Sequence, residues 1–394
     1  MKNDQTPKLV LDSAVKPAAV RGRPWVYANQ LQMNAEARRI VPGSVVRLAE
    51  PNGRLLGLYH FNPHSLIAAR LLTRNTDRAI DAGYFEERLA RALRLRDRLF
   101  EAPYYRFCHA EGDGLPGLVI DRHGDVLVVQ PNTAGMTAAL PDIRAALEAL
   151  MAPRSIVVAS DGPARASEGL EPLSALHGAA LPVPLVIEEN GCRFAIDPLG
   201  GQKTGWFYDH RDNRAFAARL SRGASVLDAY CYAGGFGLAA AKAGAARVTL
   251  VDRSAPALDL VRTAADLSGL NDCLETVTSE GFAYLEQEAR RFDVVIADPP
   301  AFAKSRKDVP AALKGYEKLA RLAADRVAEG GFLCLASCSH NVLPEAFAEA
   351  TVQGLRAAGR AGRRVHAAGA GPDHPVHPFL PQTAYLKFIA YALD

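Results

Sequence analysis

Val226-Leu227-Asp228-Ala229-Tyr230-Cys231-Tyr232-Ala233-Gly234-Gly235-Phe236-Gly237-Leu238-Ala239-Ala240 runs from an apolar stretch through a glycine-rich turn into helix-favouring residues. The pattern predicts a strand, a tight turn and a helix. Glycine lets backbone approach a ligand closely, and a helix start offers unbonded amide groups. The same rhythm surrounds it. Ser225–Asp228, Arg247–Asp252, Phe292–Asp298 and Gly331–Ser337 are short apolar strands, and residues 236–243, 254–268 and 311–328 pattern as helices. Strands apolar on both faces, alternating with helices, predict an α/β chain with a doubly wound, Rossmann-like parallel sheet. Three of these strands end in aspartate, at the sheet edge where ligands of such folds bind.

Gly235-x-Gly237-x-x-Ala240 matches a short dinucleotide fingerprint. Asp228, ahead of the glycines, opposes that reading because it would repel the phosphates of a dinucleotide. A carboxylate there suits a ligand bearing positive charge, such as the ammonium and sulfonium of S-adenosylmethionine. Asp252, ending the next strand, is placed to accept ribose hydroxyls.

Asp298-Pro299-Pro300-Ala301-Phe302 follows the strand Val294–Ala297. Two prolines stiffen the turn and donate no N–H, which leaves carbonyls free to accept from an exocyclic amine. Phe302 is the aromatic expected to stack on a base. Leu333-Cys-Leu-Ala-Ser-Cys-Ser-His supplies a nucleophile. Cys334 lies within the apolar strand and reads as a core thiol, whereas Cys338 stands at the strand end between Ser337 and Ser339. Position 5 of a pyrimidine accepts a methyl group only after a nucleophile has added to carbon 6, the step a thiolate performs. Cys231 reads as packing, and Cys108, Cys192 and Cys273 have no supporting context. His340 and His374 are the candidate bases for the carbon-5 proton.

The chain has 394 residues, 49% hydrophobic and 23% charged, enough for two or three domains with real cores and too polar for a membrane span. Six scattered cysteines without a C-x-x-C pair argue against a disulfide framework or zinc ribbon, and no metal site is expected. The opening Met1-Lys-Asn-Asp-Gln-Thr-Pro lacks the apolar core of a secretory signal, so a cytoplasmic protein is expected. Net charge is only +3, yet residues 1–75 hold eleven Lys/Arg against four Asp/Glu. A basic module of this kind suits a polyanion such as nucleic acid.

Gly43–Phe61 alternates about a turn at Pro51-Asn52-Gly53, and Ser65–Leu72 reads as another strand, so residues 1–76 form a small basic β barrel. Residues 77–184 form a central α+β domain. It holds an amphipathic helix over 84–100, strands near 105–110, 117–130 and 155–159, a helix near 138–151, and a loop region over 160–182. Residues 185–394 form the sheet-and-helix domain.

The chain resembles the class I S-adenosylmethionine-dependent methyltransferases of the large-subunit rRNA methyltransferase I type, which make 5-methylcytosine in 23S ribosomal RNA. The resemblance spans nearly the whole chain. Arg21-Gly-Arg-Pro-Trp-Val-Tyr with Gly43–Arg70 is similar to the family's PUA RNA-binding domain, which implies RNA contacts at Arg21 and Arg23. Glu111-Gly-Asp-Gly-Leu-Pro-Gly is similar to its central domain, and Asp373-His-Pro and Tyr385-Leu-Lys to its closing motifs. Gly201-Gln-Lys-Thr-Gly-Trp-Phe-Tyr-Asp-His-Arg-Asp-Asn-Arg resembles the element that precedes the catalytic sheet.

By that resemblance Asp228, Tyr232, Gly234 and Gly235 line the methionine side, Asp252 holds the ribose, and Gln202, Lys203 and Thr204 neighbour cofactor or RNA. Cys338 and Asp298 carry the catalysis, Asp298 also facing the cofactor, while Pro299, Pro300 and Phe302 hold the base. The chain departs from the family pattern at His210, where glutamine is usual, and at Phe388, where glycine is common. It departs again at Ser279-Glu280, where an aspartate commonly meets the adenine amine; Glu280 is expected to take that role. The implied partner is 23S rRNA, unpaired or in an assembly intermediate, with a homodimer left open. Two other readings stay in play: an rRNA guanine-N7 methyltransferase, which needs no cysteine, and a non-catalytic RNA-binding assembly factor.

Overall fold

The computed structural model describes residues 6–16, 18 and 20–394; most of the opening stretch on which the export expectation rests lies outside them. The chain divides into two units. The first comprises residues up to Leu181 with two later segments, Pro198–Gly205 and Pro372–Pro381; the second comprises Pro182–Asp197, Trp206–Gly371 and Gln382–Asp394.

In the first unit, strands β1 (Lys8–Val10), β2 (Trp25–Val26), β3 (Ser44–Ala49), β4 (Leu55–Phe61) and β5 (Ala69–Thr73) form a sheet of order β1-β3-β4-β5-β2. Its alternating apolar residues, including Leu9, Val46, Leu48, Tyr59 and Phe61, close over one core with helix α1 (Ala35–Arg39). The sequence places a strand over Ser65–Leu72, but β5 starts only at Ala69, because Asn62 to Ser65 turn back on themselves through an Asn62–Ser65 backbone bond.

A second sheet of the same unit has the order β10-β9-β8-β7-β6. Its strands are β6 (Tyr104–His109), β7 (Leu118–His123), β8 (Val126–Pro131), β9 (Ser155–Ser160) and β10 (Leu173–Gly178). Helices α2 (Ala82–Leu99), α3 (Ala134–Ala138), α4 (Leu140–Met151) and α5 (Pro163–Ser167) complete it. Asp81 caps α2 by accepting the Tyr84 amide, and Tyr84, Phe85, Leu89 and Ala92 face Leu118, Ile120 and Leu127 in the core. Leu99, at the end of this helix, is exposed.

Two further corrections concern this region. The stretch 160–182 is no plain loop, since β10 pairs antiparallel with β9 along its whole length. As an edge strand it half-buries only alternate side chains, so its sequence lacks an apolar run. The arginine-rich face of α2 is also not all solvated. Arg96 is fully buried and grips Asp113 through both guanidinium nitrogens while bonding the carbonyls of Arg106 and Asp373.

The second unit is built on a seven-stranded sheet. Its strands are β13 (Ser225–Ala229), β14 (Arg247–Asp252), β15 (Leu274–Thr278), β16 (Phe292–Ala297), β17 (Val327–Ser337), β18 (Gly362–Ala368) and β19 (Lys387–Leu393), in the order β15-β14-β13-β16-β17-β19-β18. The first five are parallel and β19 runs antiparallel to both neighbours. Helices α6 (Arg211–Arg219), α7 (Gly235–Lys242), α8 (Ala255–Ser268), α9 (Gly281–Gln287), α10 (Val309–Asp325) and α11 (Pro344–Ala357) join the strands, and a hairpin of β11 (Leu185–Glu189) and β12 (Cys192–Ile196) precedes them. Val226, Leu227, Val248, Leu250, Val294, Val295, Leu333 and Leu335 are almost wholly buried, the both-face burial expected of a parallel sheet. Strand order reverses between β13 and β16, so the crevice beyond their carboxyl ends is the site such a topology provides.

Candidate functional site

The loop between β13 and α7 is held in an unusual backbone path. Tyr230, Tyr232 and Gly234 have φ of 64°, 49° and 77°. Tyrosine in this left-handed region costs of order 1–3 kcal/mol, a cost that persists where surroundings hold it in place. Here the Tyr232 amide donates to Asp252 Oδ2 at 2.9 Å and the Cys231 amide to the Val251 carbonyl at 3.0 Å. Gly237 permits α7 to lie close on the sheet, because a Cβ there would meet Leu250 Cδ2 at 2.5 Å.

Asp228 is 1% exposed and accepts the Gly237 amide at 2.7 Å through Oδ2, while its Oδ1 is buried without a partner. Burial pushes its carboxyl up to about 7, with the charges of Asp298 and Asp252 adding to the effect and the Gly237 bond opposing it. Such a group is under-satisfied and gains from a nearby cation. Asp252 also accepts the Ser254 amide at 2.9 Å, so both oxygens are oriented by backbone while retaining acceptor capacity. A buried carboxyl with one oxygen unpartnered, an oriented strand-end carboxylate and an open glycine loop fit S-adenosylmethionine, with Asp228 and the loop toward its charged end and Asp252 toward its ribose.

Glu280 lies at the surface. Its carboxylate is exposed and lies 3.7 Å from Arg253, so a surface ion pair engages the group expected at the adenine amine. The backbone beside it is close to the site, since the Ser279 amide donates to the Asp252 carbonyl. Sequence reasoning missed Tyr230, whose buried hydroxyl has no partner and whose ring sits within 2.3 Å of where a Gly281 Cβ would be.

Residues 206–214 flank the loop. Phe207 packs edge-on to Tyr232, and His210 edge-on to Phe236. Arg214 holds this segment to β11 by a buried bidentate pair with Glu189, at 2.6 and 2.9 Å. His210 Nε2 lies 3.2 Å from Asp298 Oδ2. Burial alone would lower the imidazole, but the charge and hydrogen bond of Asp298, with Asp209 behind them, hold it above the usual histidine range. The departure at position 210 thus supplies a partner for the Asp298 carboxylate.

The Asp298 turn and the Cys338 turn are bolted together. Ser337 Oγ donates to Tyr316 Oη at 2.8 Å, Tyr316 Oη shares a 2.8 Å bond with Ser339 Oγ, and Ser339 Oγ accepts the Ala303 amide at 3.2 Å. Both serines are fully buried, so Cys338 between them is half-buried at the strand end. By contrast, burial pushes the Cys334 thiol up to about 12 and Cys231 well above the usual range. Phe302 is packed on Tyr316 at 4.6 Å and on Phe282 at 6.0 Å between ring centroids, making it a wall of the turn. Lys387, unassigned from sequence, is buried in this cluster.

Apart from Pro299, Pro300 and His340, which belong to the second unit, the remaining expected residues belong to the first. Arg21 is half-exposed and pairs with Glu50, and Arg23 is exposed. Gln202 and Lys203 are exposed, while Thr204 is buried and donates to Asp121. His374 is buried against Asp373 in that unit. His340 is exposed, its ring 4.9 Å from that of Tyr385.

Sheet order, glycine loop and strand-end carboxylates together define an S-adenosylmethionine-dependent methyltransferase. Comparisons with known proteins agree. Residues 117–366 match the S-adenosylmethionine-dependent methyltransferase family model and residues 9–74 match a PUA-like domain. The chain is 37% identical to "Ribosomal RNA large subunit methyltransferase I" of Shewanella denitrificans, over 93% of this chain and 94% of that protein. It is 33% identical to the protein of that name from Pseudoalteromonas atlantica, over 96% and 98%. A Streptococcus mutans structure described as a SAM-dependent methyltransferase superposes with a TM-score of 0.82 at 20% identity, covering 98% of this chain and all of the other. The chain belongs to the ribosomal RNA large subunit methyltransferase I family.

Proposed function

We propose that the chain methylates carbon 5 of a cytosine in large-subunit ribosomal RNA, with Cys338 as the nucleophile. The observation that carries this reading is the placement of Cys338: half-buried at the end of β17, and tied through Ser339 and Ala303 to the turn that begins at Asp298. S-adenosylmethionine, when bound, supplies an electrophilic methyl group. The Cys338 thiolate adds to carbon 6 and shifts electron density to carbon 5. After carbon 5 has been methylated, its proton leaves to a base and the sulfur departs, which restores the ring. We assign that base to Asp298, whose carboxylate meets His210. Pro299 and Pro300 present carbonyls to the exocyclic amine of cytosine. The basic N-terminal domain holds RNA phosphates, Arg21 and Arg23 among the contacts. Flipping a stacked base costs a few kcal/mol, so an unpaired cytosine is the favoured target.

The test is nucleoside mass spectrometry of ribosomal RNA from a deletion strain. One 5-methylcytosine should vanish and return with the wild-type gene. A Cys338→Ala protein should lose turnover by roughly a thousandfold or more while still binding S-adenosylmethionine. Loss of 7-methylguanosine instead, with full activity of Cys338→Ala, would transfer the chain to the guanine-N7 reading.

A further inference from the structure

We propose that Lys387 is the positioning residue that keeps the Cys338 sulfur in its thiolate form, its ammonium held beside the cysteine turn as a fixed counter-charge. This rests on Cys338 being the nucleophile. Lys387 opens β19, which runs antiparallel to β17, and pairs in register with Ser337, the residue before the cysteine. Its side chain is 5% exposed, and Nζ donates to the Ser339 carbonyl at 2.6 Å and the Tyr385 carbonyl at 2.7 Å. Two of its three N–H groups are therefore fixed by backbone carbonyls, one of them that of the residue after Cys338, which holds the buried ammonium at the turn.

Neutral carbonyls satisfy hydrogen bonds but do not neutralise a buried ammonium. An anion forming next to it does. Burial pushes Lys387 down to about 8, and the Cys338 sulfur is the group that acts in the opposite direction. The step is an ionisation: the S–H bond breaks, its proton goes to water, and the electron pair stays on sulfur opposite Nζ.

The other titratable groups around the turn do not supply this charge. Tyr316, on α10, is raised by burial, its two serine bonds opposing, and is neutral at working pH. Asp298 and Asp209 are acidic and oppose a thiolate, although His210 and the Tyr385 hydroxyl engage them. His340 is exposed against the Tyr385 ring.

The experiment is site-resolved alkylation of the full-length protein with iodoacetamide across pH, reading the Cys338 peptide by mass spectrometry. Wild-type Cys338 should titrate below the ordinary thiol value of about 8.5. Lys387→Met should raise that midpoint and slow alkylation about tenfold at neutral pH, the effect of one pKa unit. Lys387→Arg, which keeps the charge, should restore most of the reactivity. A wild-type midpoint at or above about 8.5 overturns the proposal even if Lys387→Met fails to fold. So does a folded Lys387→Met with an unchanged profile. Covalent capture of a 5-fluorocytosine RNA reads the nucleophile separately. Capture together with an ordinary thiol profile removes Lys387 and leaves Cys338 as nucleophile. A depressed profile without capture does the reverse.

Discussion

Asp228 illustrates how burial sets the behaviour of a single residue. Its carboxyl is raised to about 7, so between roughly pH 4 and 7 the folded chain holds a proton that the unfolded chain has lost. Stability of the ligand-free protein therefore falls as pH rises through that window. A cation bound at the site favours the ionised form, so binding releases the proton. Affinity for S-adenosylmethionine should consequently rise from pH 5.5 to about 7 and then level off. Asp228→Asn should bind more weakly and show no such rise; calorimetry at several pH values reads both. The residue was legible in the sequence, as an acid before glycines. Its missing second partner was not, because that depends on how α7 closes over it. Glu280 is exposed and forms a surface pair with Arg253, a contact its place in the sequence does not announce.

At the scale of elements, the strand ends matter more than the strands. The end of β17 is joined to the Asp298 turn through Ser339 Oγ, which accepts the Ala303 amide, and the hydroxyl of Tyr316 on α10 braces that joint by bonding both Ser337 and Ser339. Tyr316→Phe leaves those two buried serines each short of a partner, which costs about 1–3 kcal/mol. Urea unfolding should show that loss. Turnover should fall more than S-adenosylmethionine affinity, since the cofactor loop lies on β13 and β14. Nothing in the spacing of Tyr316 announces this role; on α10 it reads as one more apolar position facing the core. Phe302 likewise reads from sequence as a base-stacking ring, yet the contact of its ring with Tyr316 makes it part of the same joint. The strand at Leu173–Gly178 escaped notice because an edge strand needs only half its residues apolar.

At the scale of the whole molecule, charge is used in two ways. The basic excess of residues 1–75 suits a polyanion, so RNA binding should weaken steeply with salt, and exposed Arg23→Ala should lower the salt slope by no more than about one contact. Inside the first unit, charge fixes structure instead. Arg96 and Asp113 are both buried, and the same guanidinium bonds the Asp373 carbonyl, which anchors Pro372–Pro381 to a unit far from it in sequence. Asp113→Ala should cost about 3–5 kcal/mol in denaturant unfolding, because it strands a buried cation. The double change Arg96→Met with Asp113→Leu should cost less.

The sequence by itself determined the alternation of strands and helices, the glycine loop, the three strand-end aspartates and the positions of Cys334 within a strand and Cys338 at its end. These are local patterns, written in residues near one another along the chain. Only the tertiary structure decided that His210 answers Asp298, that Lys387 lies against the cysteine turn, and that Arg96 is buried. Those partners are separated by tens to hundreds of residues, and their pairing follows from strand order and burial, which no window of sequence contains.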